Sequence, residues 1–200
     1  MKIKTSIASA LFIGIIGITS CASVPQEEVD AANAAIENAK TAGAEEYVQD
    51  QFMALTDSMA VALASLEEQK SKFFKSYGET IEKLNAVTAQ AAVVAANTNE
   101  AIETLKAEIT SAITEVTEMV AEGRDLIGQA PRGKEGTTAL VAIKAELDAI
   151  DNAVAESNAM FQAGQLKPSM EKLYVAKEKV GSINTELTDV ISKYKTAAKR

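Results

Sequence analysis

From Ile81 to Met119 one face of the chain repeats at steps of three and four without a break. Its positions are Ile81, Leu84, Thr88, Ala91, Ala95, Thr98, Ile102, Leu105, Ile109, Ala112, Val116 and Met119. Residues three and four apart lie on one face of an α-helix, so the pattern demands a helix with a single continuous seam. The register holds for more than five heptads, the signature of a coiled coil. A helix over 78–127 would be about 75 Å long at about 1.5 Å per residue. A rod of that length cannot fold on itself, so other helices must lie along it. Its middle, around Ala91–Thr98, is small and polar. That part of the seam packs closely but buries little, and a partner helix could complete it.

The remaining stripes supply such helices. Pro25, Pro131 and Pro168 fall where stripes begin or end, as a residue without a backbone N–H should. Val29, Ala32, Ile36 and Ala39 predict a first helix over about 25–42, opened by a capping box at Ser23–Gln26 and closed by Gly43. Val48, Phe52, Leu55, Met59, Ala62, Leu66, Gln69 and Phe73 predict a second. A capping-box pattern at Ser76–Glu79 favours a turn before the long helix, and one continuous rod through both is the alternative. GQAPRGKEGT, residues 128–137, reads as a loop. Thr137 or Thr138 then caps a fourth helix carrying Leu140, Ile143, Leu147, Ile150, Val154 and Phe161. After a turn over Gly164–Pro168, Met170, Leu173, Ala176, Val180, Ile183, Leu187, Val190 and Tyr194 predict a fifth. TIEKLNAV at 80–87 aligns with SMEKLYVA at 169–176, a faint internal repeat in which each copy follows a turn signal.

The fold class expected is all-α: an elongated antiparallel helical bundle of coiled-coil hairpins. Its parts are a helical hairpin region over 25–128, a loop at 129–137 and a second hairpin over 138–198. Composition agrees, since alanine supplies 36 of the 200 residues and is the strongest helix former.

The first 24 residues belong to another category. Lys2 and Lys4 precede an apolar run from Ile7 to Ile18, with no acid before Glu27. A basic start followed by a short apolar stretch is a secretory signal, too short to span a bilayer as a helix. The run ends in Ile18, Thr19, Ser20 and Cys21, and Cys21 is the single cysteine of the chain. This resembles the lipobox of bacterial lipoproteins: an aliphatic residue, two small ones, then cysteine. The resemblance implies that residues 1–20 are removed and that residues 21–24 form a lipidated tether. It also implies a diacylglycerol on the Cys21 thiol and an acyl chain on its new amine. Two chains hold a protein stably where one does so marginally. Ala22 in place of Asp implies, by the sorting rule of Gram-negative lipoproteins, the outer membrane, with the protein facing the periplasm.

A second resemblance covers residues 25–47, PQEEVDAANAAIENAKTAGAEEY. The segment resembles the start of an uncharacterised family of alanine-rich helical bacterial lipoproteins. In that family an alanine-rich helix ends in Gly-Ala, as at Gly43-Ala44, soon followed by Tyr, as at Tyr47. Some members continue into a peptidoglycan-binding domain of the OmpA type. Nothing after residue 122 reads as that α/β segment, and the family has no established activity to lend.

Charge and residue content narrow the function. Without residues 1–20 the chain has 18 basic and 28 acidic residues, a net charge of about −10. This argues against nucleic acid, whose binding rests on neutralising phosphates. The chain has no His, which excludes Ser-His-Asp and Cys-His catalysis and the usual zinc and copper sites. GQAPRGKE, residues 128–135, matches G-x-x-x-x-G-K, but Glu135 stands where a phosphate loop needs Ser or Thr and no strand precedes it. Asp148 and Asp151 lie close on one helix and read as a solvated face. Lys193, Lys195, Lys199 and Arg200 form one basic cluster, which suits a helix C-terminus or a weak contact with an anionic partner such as peptidoglycan. That end is distantly similar to the lysine-bearing terminus of the wall-linked major lipoprotein, although this chain ends in Arg200.

The function expected is therefore structural or adaptor-like, without catalysis and with no cofactor beyond the acyl chains on Cys21. The partners expected are a membrane, reached through the anchor, and an envelope protein or a second copy. A periplasmic carrier or chaperone for lipids or outer-membrane proteins is the alternative.

Overall fold

The computed structural model describes residues 23–132 and 134–198, the side chains of Lys134 and Glu135 excepted. These residues form six helices and no strand: α1 (Gln26–Thr41), α2 (Ala44–Tyr47), α3 (Gln49–Ser71), α4 (Gly78–Gln129), α5 (Lys134–Gln162) and α6 (Leu166–Ala197). The helix α4 has 52 residues and is about 78 Å long. Every other helix packs on it, while neither α1 nor α3 packs on α5 or α6.

Two three-helix units therefore stand end to end along α4. In the first, α3 runs antiparallel to α4: Ser65 bonds Thr80 (3.0 Å) and Asn97 bonds Gln51 (2.7 Å). The chain reverses at Gly43, so α1 runs alongside the first half of α4 in the same direction, and all three helices share one core. In the second unit, α5 runs antiparallel to α6, bonded through Ser157 and Ser169. There α6 is parallel to the second half of α4: Lys177 meets Glu115 (2.7 Å), and Asn184 donates to the Met119 carbonyl (2.9 Å). A waist cluster joins the units, with Ile109, Leu166 and Leu173 at its centre and Tyr47 and Phe161 packed on it.

Local chemistry sets the breaks. Gly43 adopts φ 99° and its N–H bonds the Lys40 carbonyl at 2.8 Å, the left-handed helix stop expected there. The capping boxes do not form. Pro25 and Tyr77 occupy the cap positions with no side-chain cap bond, and Glu79 pairs with Lys83 (2.7 Å) instead. Helices α3 and α4 are separate, since Lys72 is extended and Tyr77 is buried beneath the connection.

The expected loop at 128–137 is shorter, because α4 runs to Gln129 and α5 starts at Lys134, ahead of Thr137. Gly136 lies in that first turn, where a Cβ would stand 3.0 Å from the Pro131 carbonyl oxygen, so glycine permits the tight reversal. The expected turn at Gly164–Pro168 contracts to residues 163–165. Pro168 lies in the first turn of α6, where a missing N–H costs no helical bond.

The seam of α4 is wider than one stripe. Leu84, Ala91 and Thr98 are buried as expected. Their fully covered companions are Thr80, Val87 and Val94, while Ile81, Thr88 and Ala95 are partly covered. Two helices flank α4, so the buried arc spans adjacent positions. At the end of α6 the core step is Leu187 to Ile191, which leaves Val190 and Tyr194 exposed.

Candidate interaction surfaces

Among the described residues no cluster of His, Cys, Asp and Glu could hold a metal ion. Asp148 and Asp151 are not a free acidic face. Arg124 on α4 bonds both of them, at 2.8 Å to Asp148, and these hydrogen bonds raise the guanidinium above its ordinary range. This bridge ties α4 to α5 and pairs both carboxylates with one cation. A helix, as expected, and not a strand leads into the G-x-x-x-x-G-K match, whose Gly133 lies outside the described residues.

The Ala91–Thr98 seam is closed to a partner helix. Ala91 and Thr98 are fully buried in the described chain, Ala91 in the core that α1 shares through Ala32 and Ala39. The same chain completes the seam, which corrects the expectation that another would.

An open apolar groove lies in the second unit. A groove of about 910 Å³ runs between α5 and α6, lined by those two helices alone. Its floor includes Ile150, Ala153, Val175, Ala176 and Ile183, and Glu146, Lys179 and Glu186 stand among its charged lining. A smaller groove of about 580 Å³ separates α4 from α6 around Met119 and Tyr174. An apolar floor with a charged rim suits an amphipathic helix. Ile150 and Ile183 are buried as the stripes expected, and the groove opens above them, off the stripe. Val175, one step off the stripe, was the available signal.

Two polar features fix the second unit's register. Ser157 and Ser169 are fully buried and bond each other at 2.9 Å, and each hydroxyl also bonds the other residue's carbonyl. Asn184 is buried against Gly123 of α4, where a Cβ would meet its Oδ1 at 2.6 Å and Leu147 at 3.1 Å. Only glycine lets the helices approach so closely at that point.

The ends of the rod differ. Lys193 and Lys195 are exposed on the last turns of α6, level with the far end of α4. Lys199 and Arg200 lie outside the described residues, as do Ile18, Thr19, Ser20 and Cys21. At the opposite end, the α3–α4 connection exposes Phe73 (92%) and Phe74 (85%), their rings edge to face with centroids 5.0 Å apart. Phe73 was expected in the core. The helix stops at Ser71, so the register is lost before Phe73, and Tyr77 fills the core beneath the connection instead.

No described helix is long and apolar enough to cross a membrane. Compared with known protein families, curated proteins and solved structures, the chain matches none.

Proposed function

We propose that the chain is an exported lipoprotein of the bacterial outer membrane, anchored through acyl chains on Cys21, and acts as a structural or adaptor rod facing the periplasm. The observation that carries this reading is the polarity of the rod. The start of α1 points toward the Phe73 end. The α5–α6 groove and the basic residues Lys193 and Lys195 lie in the unit farther from it. A chain tethered at its start would hold that unit tens of ångströms from the bilayer, where a helical segment of an envelope protein can lie in the groove. The resemblance to alanine-rich lipoproteins supports the anchor but lends no activity. No catalysis is proposed, because the acids best placed to act as a pair are neutralised by Arg124.

A photo-crosslinker at Val175 in living cells tests the reading. One dominant envelope protein should be captured there and not from Glu37 on α1. Capture of nothing at Val175, with the purified protein monomeric, would sink the adaptor reading. The carrier alternative has less behind it, because both grooves are open troughs between helices. It predicts instead that Val175 crosslinks to lipid.

A further inference from the structure

The α3–α4 connection has more apolar surface than its turn requires. It runs over residues 72–77, where the corresponding α5–α6 turn of the internal repeat needs only 163–165. Tyr77 already closes the core beneath it. Phe73 and Phe74 therefore stabilise nothing in the described fold, yet they stand outward at the extreme tip of the rod. Exposed paired aromatics of this kind mark a contact.

The charge around them selects the contact. Residues 69–78 carry Lys70, Lys72 and Lys75 and no acid, in a chain of net charge −8. Lys70 and Lys72 pair with Glu67 and Glu68 behind the tip, and Lys75 makes no ion pair among the described residues. Aromatic rings flanked by lysines fit the boundary between headgroups and acyl chains, with rings buried and ammonium groups reaching phosphate. A second copy fits poorly. Two phenyl rings from each copy supply at most about 600–1,000 Å² in all, which only reaches the roughly 1,000 Å² of a stable interface at its upper limit, and the lysines of the two copies would face one another.

Chain geometry points to the same occupant. The helix α1 has 16 residues, so it spans about 24 Å from the waist toward the tip. It runs alongside the first half of α4 in the same direction, so its start faces the tip. Cys21 precedes Gln26 by five residues, a span of at most about 17 Å. A lipid on Cys21 thus lies at the same end of the rod as Phe73 and Phe74.

We propose that the Lys72–Lys75 segment is a membrane-insertion loop. Phe73 and Phe74 enter the interface of the bilayer that holds Cys21, so the rod is fixed at two points and stands upright. This rests on the lipoprotein reading above.

The chain has no Trp, so Phe74→Trp in the full chain gives a single reporter at an exposed site. The protein is purified from membranes, its acylation is read by intact mass, and it is reconstituted into phosphatidylethanolamine–phosphatidylglycerol vesicles. Expected are a blue-shifted emission, a several-fold loss of quenching by aqueous iodide, and strong quenching by lipids brominated near the headgroup. Emission unchanged from water in an acylated protein overturns the loop and leaves the anchor standing. An unacylated mass overturns the anchor, and the Trp signal with added vesicles then still decides the loop. A blue shift without lipid that grows with protein concentration overturns it in favour of a second copy. Phe73→Ser with Phe74→Ser, which touches no core residue, should keep the helical content and lose protection of the loop from protease on vesicles.

Discussion

The hairpin of α3 with the first half of α4 and the hairpin of α5 with α6 grow from the same sequence repeat and become different objects. In both, a hydroxyl near the start of the second helix is buried and bonds a serine across the hairpin: Thr80 to Ser65 at 3.0 Å, Ser169 to Ser157 at 2.9 Å. In both, a leucine four residues on is fully covered, Leu84 and Leu173. The third helix of each unit makes the difference. In the first unit α1 brings Ala32 and Ala39 to a core that includes Ala62 and Ala91. In the second, α4 brings Val116 and Val120 to Leu147, Val180 and Leu187. The shared hydroxyl pair sets register, while side-chain volume sets how closely the helices approach and how much apolar surface each unit buries.

The largest test of that contrast is Leu147→Ala. Leu147 is fully buried where three helices meet, and its loss should cost about 2–5 kcal/mol through lost transfer energy and the cavity left behind. Urea unfolding measures it, and a loss below about 1 kcal/mol would mean that the second unit is not held by its aliphatic core. Next comes Ala91→Leu, which enlarges a fully buried alanine in the core that α1 shares through Ala32 and Ala39. It should cost about 1–3 kcal/mol by overpacking, and amide exchange should place the loosening in α1 and not in α6. A neutral result would show that the first unit has spare volume and that the contrast fails.

The smallest effect is acidic. A hydrogen bond from Lys72 holds the Glu68 carboxyl below its ordinary range, and one from Lys83 does the same for Glu79. A lowered folded pKa stabilises above the unfolded pKa and is lost as pH falls through the folded one. Both groups are exposed, so the loss is slight. Amide exchange at the end of α3 and the start of α4, corrected for intrinsic rates, should quicken below about pH 4 while exchange around Leu147 holds. Equal quickening at both places would refute a local origin.

Much of this architecture is legible from local pattern. The stripes at Phe52–Leu66 and Leu173–Leu187 and the stop at Gly43 follow from periodicity and from glycine's freedom at positive φ, whereas the separation of α3 from α4 was one of two open readings and the capping box that favoured it does not form. The misplacements share one cause. A period of three and four residues names the covered face of a helix but not what covers it. The seam at Ala91–Thr98 looked incomplete, yet α1 shares its core; Val190 and Tyr194 fitted the stripe of α6, yet the core step runs from Leu187 to Ile191 and leaves them exposed. Phe73 fitted the stripe of α3, but a stripe counts only while the helix lasts, and this one ends at Ser71.

By itself the sequence determined the helices, most of their breaks and the length of the rod, because each depends on residues within one or two turns of one another. The tertiary structure decided which helix covers which face, which acids Arg124 neutralises and which aromatics stay outside. Those depend on pairings between segments tens of residues apart, where several partners satisfy the same periodicity and only packing volume and reach select one.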